Sequence, residues 1–120
     1  MLLVGFGGFL GSILRYLISK LNTEISIHSF PAGTFLVNII GSLLIGFLVG
    51  VLATHAPSSQ LRLLLITGFC GGFTTFSAFT NENFNLIANG QFLTSALYII
   101  LSIVGGIFAV FGGINISKLI

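Results

Sequence analysis

The sequence predicts an all-α membrane protein of four transmembrane helices, the third of them broken near the bilayer midplane. Three observations lead there. Of 120 residues, 55% are apolar and 5% charged, whereas a soluble domain carries about 25% charged residues. Four apolar stretches are each long enough for a bilayer core of about 30 Å, which takes roughly 20 residues of helix. Glycines and hydroxyls interrupt the third stretch near its centre. The mean hydropathy of +1.15 agrees, and a soluble protein is excluded.

The first span covers about 2–20 and closes on Lys20. It lacks the basic leading region of a signal peptide, and Arg15 stands where the apolar run should continue, so a retained helix is expected. After the polar break Asn22-Thr23-Glu24, the second span covers about 31–53. Pro31 suits its first turn, where a missing N–H is no loss. His55-Ala56-Pro57-Ser58-Ser59 reads as a turn, with Ser58 or Ser59 as N-cap of the next helix. The third span, about 60–88, stops at Asn89-Gly90, and the fourth fills about 91–118. The whole chain, 1–120, is one transmembrane domain. Gly7/Gly11, Gly46/Gly50 and Gly68/Gly72 have the spacing that lets helix backbones approach.

Charge constrains both orientation and chemistry. Arg62 and Lys118 fall on the side of the termini, Arg15 and Lys20 on the other. Lys/Arg bias sets topology. Either four charges are too few to decide it, or the chain inserts both ways up, from which an antiparallel dimer follows. A bundle this thin is expected to oligomerise in any case. There is no basic patch to track phosphates, so nucleic acid is not an expected partner. Two His and one Cys fall short of a metal cage, and no special chemistry is expected of His28, His55 or Cys70.

The segment from Thr67 to Asn81 is the most informative. Gly71 and Gly72 each weaken a helix by about 1 kcal/mol relative to alanine, and neighbouring Thr and Ser hydroxyls can bond the freed carbonyls. Such a break is tolerated only where protein or water covers it. Its carbonyls suit a cation and its new N-terminus an anion; a merely bent helix is the alternative. Asn38, within the second span, suits donation to an anion or an interhelical hydrogen bond equally well. Arg15 by itself reads as snorkelling towards the interface. Phe76 and Phe79 share a helix face, and their positive ring edges suit a small anion, although ordinary packing serves any single pair among thirteen Phe. Glu82 follows one turn later, towards a vestibule or solvent. Tyr98 and Ser102, at i and i+4, suit a polar track; on spacing alone, Ser102 would bond its own helix.

Together these residues resemble the CrcB/Fluc fluoride channels. The matching blocks are Gly7-Gly8-Phe9-Leu10-Gly11-Ser12-Ile13-Leu14-Arg15-Tyr16, Gly33-Thr34-Phe35-Leu36-Val37-Asn38-Ile39-Ile40-Gly41, and Gly68-Phe69-Cys70-Gly71-Gly72-Phe73-Thr74-Thr75-Phe76-Ser77-Ala78-Phe79. The resemblance implies an antiparallel dual-topology dimer with two oppositely directed fluoride pores. It also implies a structural sodium ion at the dimer interface, held by main-chain carbonyls of Gly71 and Thr74. Asn38, Thr75, Phe76, Ser77, Phe79, Tyr98 and Ser102 are then expected along the pore, and Arg15, Thr34 and Glu82 at vestibule or structural positions. Ala78 departs from the family's usual Thr, and Gly106 from a Ser found in some members. Some members pair as heterodimers with a paralogous chain; balanced charge favours a homodimer here.

The expected function is passive fluoride export through the cytoplasmic membrane by a multi-pass, non-enzymatic channel. A small dual-topology proton-coupled multidrug exporter shares the size and span count. It needs a membrane-embedded acid, and the first span has none. A membrane subunit of a larger complex would not require Asn38 or the broken helix.

Overall fold

The computed structural model describes residues 1–20, 29–55 and 58–120. Asn22-Thr23-Glu24, His28, Ala56 and Pro57 lie outside them. Four stretches are long and apolar enough to cross a membrane: Leu2–Ser19, Ala32–Thr54, Ser59–Ala88 and Phe92–Ser117. The first two are the helices α1 (Leu2–Ser19) and α2 (Ala32–Thr54). The third is composite: α3 (Ser59–Arg62), a π-helical stretch (Leu63–Cys70), α4 (Gly71–Phe73) and α5 (Phe76–Ala88). The last is α6 (Phe92–Ser117).

Side chains are distributed as hydrocarbon demands. Phe108 and Phe111 on α6 and Phe6 and Phe9 on α1 face outward, while the buried apolar set among the described residues is small and includes Val37, Phe73, Leu86 and Tyr98. With no water-driven core, close backbone contact supplies the cohesion. Two glycine seams provide it. Along the first, α1 meets the third span, and a methyl on Gly11 would strike the Phe69 carbonyl while one on Gly72 would come within 2.5 Å of the Gly8 carbonyl. Along the second, α2 meets α6, where Gly46 faces the Val110 carbonyl and Gly113 faces the Leu43 carbonyl.

The third span is interrupted at Thr74 (φ −78°, ψ 157°) and Thr75 (φ −149°, ψ 121°), both extended. Gly71 and Gly72, expected to weaken the helix, are themselves helical, Gly71 at φ −63° and ψ −35°. Their role is different: Gly72 admits α1, and the chain leaves the helix only after Phe73. Below the break the winding widens to π over Leu63–Cys70, a distortion frequent at functional sites. Downstream, α5 ends as its sequence predicts. Gly90 takes φ 74°, a conformation that costs a glycine little. Its N–H reaches the Ile87 carbonyl at 3.0 Å, and that of Gln91 the Leu86 carbonyl at 2.8 Å. Arg62 donates to the Leu52 carbonyl at 3.2 Å, closing the end of α2.

The second seam makes a sharp prediction, because a methyl on Gly112 would meet only the Leu43 side chain at an ordinary 3.6 Å. Gly113→Ala should destabilise by about 1–3 kcal/mol, the usual penalty for overpacking, whereas Gly112→Ala, which relieves glycine's helix penalty without a clash, should leave stability unchanged or raise it by up to about 1 kcal/mol. Thermal melting of the two purified variants in detergent checks this; equal melting would mean that the seam does not hold α2 against α6.

Candidate functional site

The break is held open by one side chain. Asn38, one face of α2, accepts from the Thr75 N–H at 2.9 Å and donates from Nδ2 to the Thr75 carbonyl at 3.2 Å. A main-chain N–H can only donate and a carbonyl only accept, so the amide has one possible orientation. In a continuous helix the Thr75 N–H would go to the Gly71 carbonyl; here it goes to Asn38, and the Gly71 carbonyl is released. The second hydrogen on Nδ2 has no partner among the described residues.

Both ends of the break are finished by polar groups nearby. Thr75 is the N-cap of α5: its Oγ1 accepts from the Ala78 N–H at 3.3 Å and lies 3.3 Å from the Ser77 hydroxyl. Thr74 donates from its hydroxyl to the Cys70 carbonyl at 3.0 Å. Arg15 does not snorkel. Its Nε donates to the Gly72 carbonyl at 3.1 Å, setting a cation at the negative end of the upstream half-helix, where it is favoured.

A cavity of about 450 Å³ opens at the break, lined by Asn38, Gly71, Thr74, Thr75, Phe76, Phe79 and Ser102 among others. The Phe76 and Phe79 rings stand 5.8 Å apart, with Phe76 76% exposed. Ser102 does not bond its own helix; its buried Oγ has no partner among the described residues. Phe79 continues to Tyr98, ring to ring at 5.0 Å, but Tyr98 turns away from the cavity. It is fully buried and donates to Glu82 at 2.7 Å, while Thr34 donates to the other carboxylate oxygen at 2.5 Å. Glu82 is therefore engaged rather than simply solvated. It also borders a hollow of about 270 Å³ with Ser29, Pro31, Asn89 and Gln91, at the ends of α2, α5 and α6.

Not every expected residue shares one space. Arg15 and Thr34 line a separate hollow of about 160 Å³ with Ser12, Ala78 and Thr75, on the α1 side of the break. Ser77 is exposed and borders none of these spaces. Cys70 is buried at the cavity wall, and His55 bonds the Thr54 hydroxyl at 2.9 Å. The sequence reading passed over Asn83 and Ser95, a buried pair in which Ser95 donates to Asn83 at 2.8 Å. An amide and a hydroxyl inside apolar helices were the available signal.

No group of three His, Cys, Asp or Glu side chains could hold a metal among the described residues. A cation at the break would need main-chain oxygens, and the released Gly71 carbonyl and that of extended Thr74 are hard donors of the kind alkali ions take.

Residues 2–114 match the family described as CrcB-like protein, Camphor Resistance (CrcB). The chain belongs to the CrcB family. Among its relatives is a protein of Chlorobaculum tepidum named fluoride-specific ion channel FluC, 48% identical over 119 residues, 98% of this chain and 94% of the relative. Proteins of the same name from Flavobacterium psychrophilum and Azobacteroides pseudotrichonymphae are 47% and 45% identical over 116 and 117 residues, covering 96% and 97% of this chain and 94% of each relative. The CrcB match spans α1, α2, the broken third span and nearly all of α6, so every residue of the cavity lies inside it. The relatives bear the name of an ion channel, not of an enzyme.

Replacing Asn38 by the isosteric Leu strands the Thr75 N–H and carbonyl in hydrocarbon, at about 1–3 kcal/mol for each group left unsatisfied. Asn38→Leu should therefore melt well below the parent in detergent. A variant of unchanged stability would show that the break holds itself open without the amide.

Proposed function

We propose that the protein is a fluoride-selective channel that passively exports fluoride across the cytoplasmic membrane and so lowers its toxicity. The observation that carries this is the cavity at the helix break, where Phe76 and Phe79 stand beside the Asn38 amide and a Ser102 hydroxyl without a partner among the described residues. Relatives that cover almost the whole chain are named fluoride-specific ion channels. Fluoride is small and strongly hydrated, and a narrow path must replace its water. The amide N–H, the hydroxyl and the positive ring edges are suited to that, and ring edges offer nothing to a cation. Fluoride enters cells as neutral HF, ionises and is trapped; a selective pore lets the membrane potential expel it with no other energy source.

The working unit in this proposal is an antiparallel homodimer of dual topology with two pores. The cavity is open on one side and flanked by exposed Phe76 and Ile103, so a second copy would complete its wall. Gly71 and Thr74 of both copies would then hold a structural sodium ion through their carbonyls, neutralising oxygen dipoles that the break has released. Glu82, held by Thr34 and Tyr98, borders the polar hollow at one end, and Arg15 anchors the break from α1.

Proteoliposomes loaded with fluoride test the function directly, with a fluoride electrode, a potassium–valinomycin shunt and chloride efflux run beside it. Fast fluoride loss with little chloride loss is expected. Phe76→Ile and Phe79→Ile should each abolish fluoride flux while the dimer still elutes intact; wild-type flux in both would sink the pore assignment. Efflux restored only by adding a paralogous chain would replace the homodimer by a heterodimer. For the ion, protein prepared and assayed without sodium should lose flux and regain it when sodium, but not N-methylglucamine, is added.

A further inference from the structure

We infer that Asn83 and Ser95 are positioning residues of the permeation path, a buried pair that sets how α5 presents Phe79 to α6. Phe79 and Tyr98 face each other across these helices at a ring separation of 5.0 Å. One turn further along, Asn83 is 7% and Ser95 2% exposed. The Ser95 hydroxyl donates to Asn83 Oδ1 at 2.8 Å, and Asn83 Nδ2 donates to the Phe79 carbonyl at 2.8 Å. The Phe79 carbonyl can only accept, so the amide must turn its NH₂ towards it and leave Oδ1 for the hydroxyl. The result is a directed chain of bonds from α6, through Asn83, to the main chain of the residue that bears a pore ring.

The geometry makes this pair a positioning device rather than incidental polarity. Two tilted aromatic rings tolerate sliding and further tilting, so Phe79 against Tyr98, at 59° between planes, leaves the register of α5 on α6 loosely defined. The Tyr98–Glu82 bond at 2.7 Å supplies one fixed tie. A single tie leaves a helix free to pivot about it. Asn83 follows Glu82 directly in sequence, about 100° further around the helix, and so forms a second tie from a different face. Two ties of different direction fix rotation and axial shift together. The Asn83–Ser95 bond is buried, so little water competes for it.

The inference rests on Phe79 lining the fluoride path, and the test separates the two. Unit fluoride flux per dimer and the fluoride-to-chloride ratio are measured for Ser95→Ala, Ser95→Thr, Ser95→Cys and Phe79→Ile in planar bilayers or calibrated proteoliposomes. Ser95→Ala should lower unit flux and selectivity roughly tenfold, the change that a tie worth about 1.4 kcal/mol represents. Ser95→Thr, which keeps the hydroxyl, should restore both. Should the alanine variant not assemble, Ser95→Cys, a weak donor of similar size, should show the same loss in smaller measure. Wild-type unit flux and selectivity in Ser95→Ala, with flux abolished in Phe79→Ile, would overturn the positioning role and leave the pore intact. A fall only in the number of active dimers, with unit flux unchanged, would overturn it equally. Unaffected flux in Phe79→Ile would overturn the pore reading and this inference with it.

Discussion

The pairing of the Asn38 amide with the main chain of Thr75 is the contact on which the rest of the molecule depends. A helix interrupted in hydrocarbon exposes donors and acceptors that no water can satisfy, at several kcal/mol for each group. One planar amide presents a donor and an acceptor side by side, and so substitutes for two ladder bonds at once. Because it diverts the Thr75 N–H, it also releases the Gly71 carbonyl and lets Thr75 start α5 as its N-cap. The cavity, the orientation of Phe76 and Phe79 and the oxygen donors at the break all follow from this exchange.

The glycine seams hold the helices in two close pairs, and at Gly41, where a methyl would strike the Thr74 side chain, α2 comes up against the break. Apolar side chains give no net drive to association in a lipid solvent, so the helices must meet at close range over small residues. Gly11 and Gly72 bring α1 against the third span, and Gly46 and Gly113 bring α6 against α2. The close contact of Gly72 with α1 favours regular backbone there, and the interruption falls at the threonines that follow, which have polar partners.

Several charges and strong dipoles among the described residues are answered locally. Arg15 sits on a carbonyl at the end of the upstream half-helix, and Glu82 receives hydroxyls from two other helices. Asn83 and Ser95 answer each other. Against that background the Ser102 hydroxyl, without a partner among the described residues, stands out, and it lies with the Asn38 amide at the large cavity described at the break. In the proposed fluoride pore, such a combination of satisfied polar groups and a free donor would leave the donor for the ion.

Composition and local pattern determined much of this. Hydrocarbon thickness converts apolar run length into spans, so four helices were legible, as was an interruption in the third; Gly90 likewise marked the end of α5. The motif blocks pointed to the family. Partner choice was not legible. Whether Asn38 faces an ion or a peptide group, whether Arg15 turns to the interface or to Gly72, and whether Ser102 bonds its own helix all depend on the rotation of one helix about its axis relative to another. Spacing along a single helix is the same for every such rotation. The glycine seams, formed only when two helices meet, select one rotation, and with it the partners of each polar group.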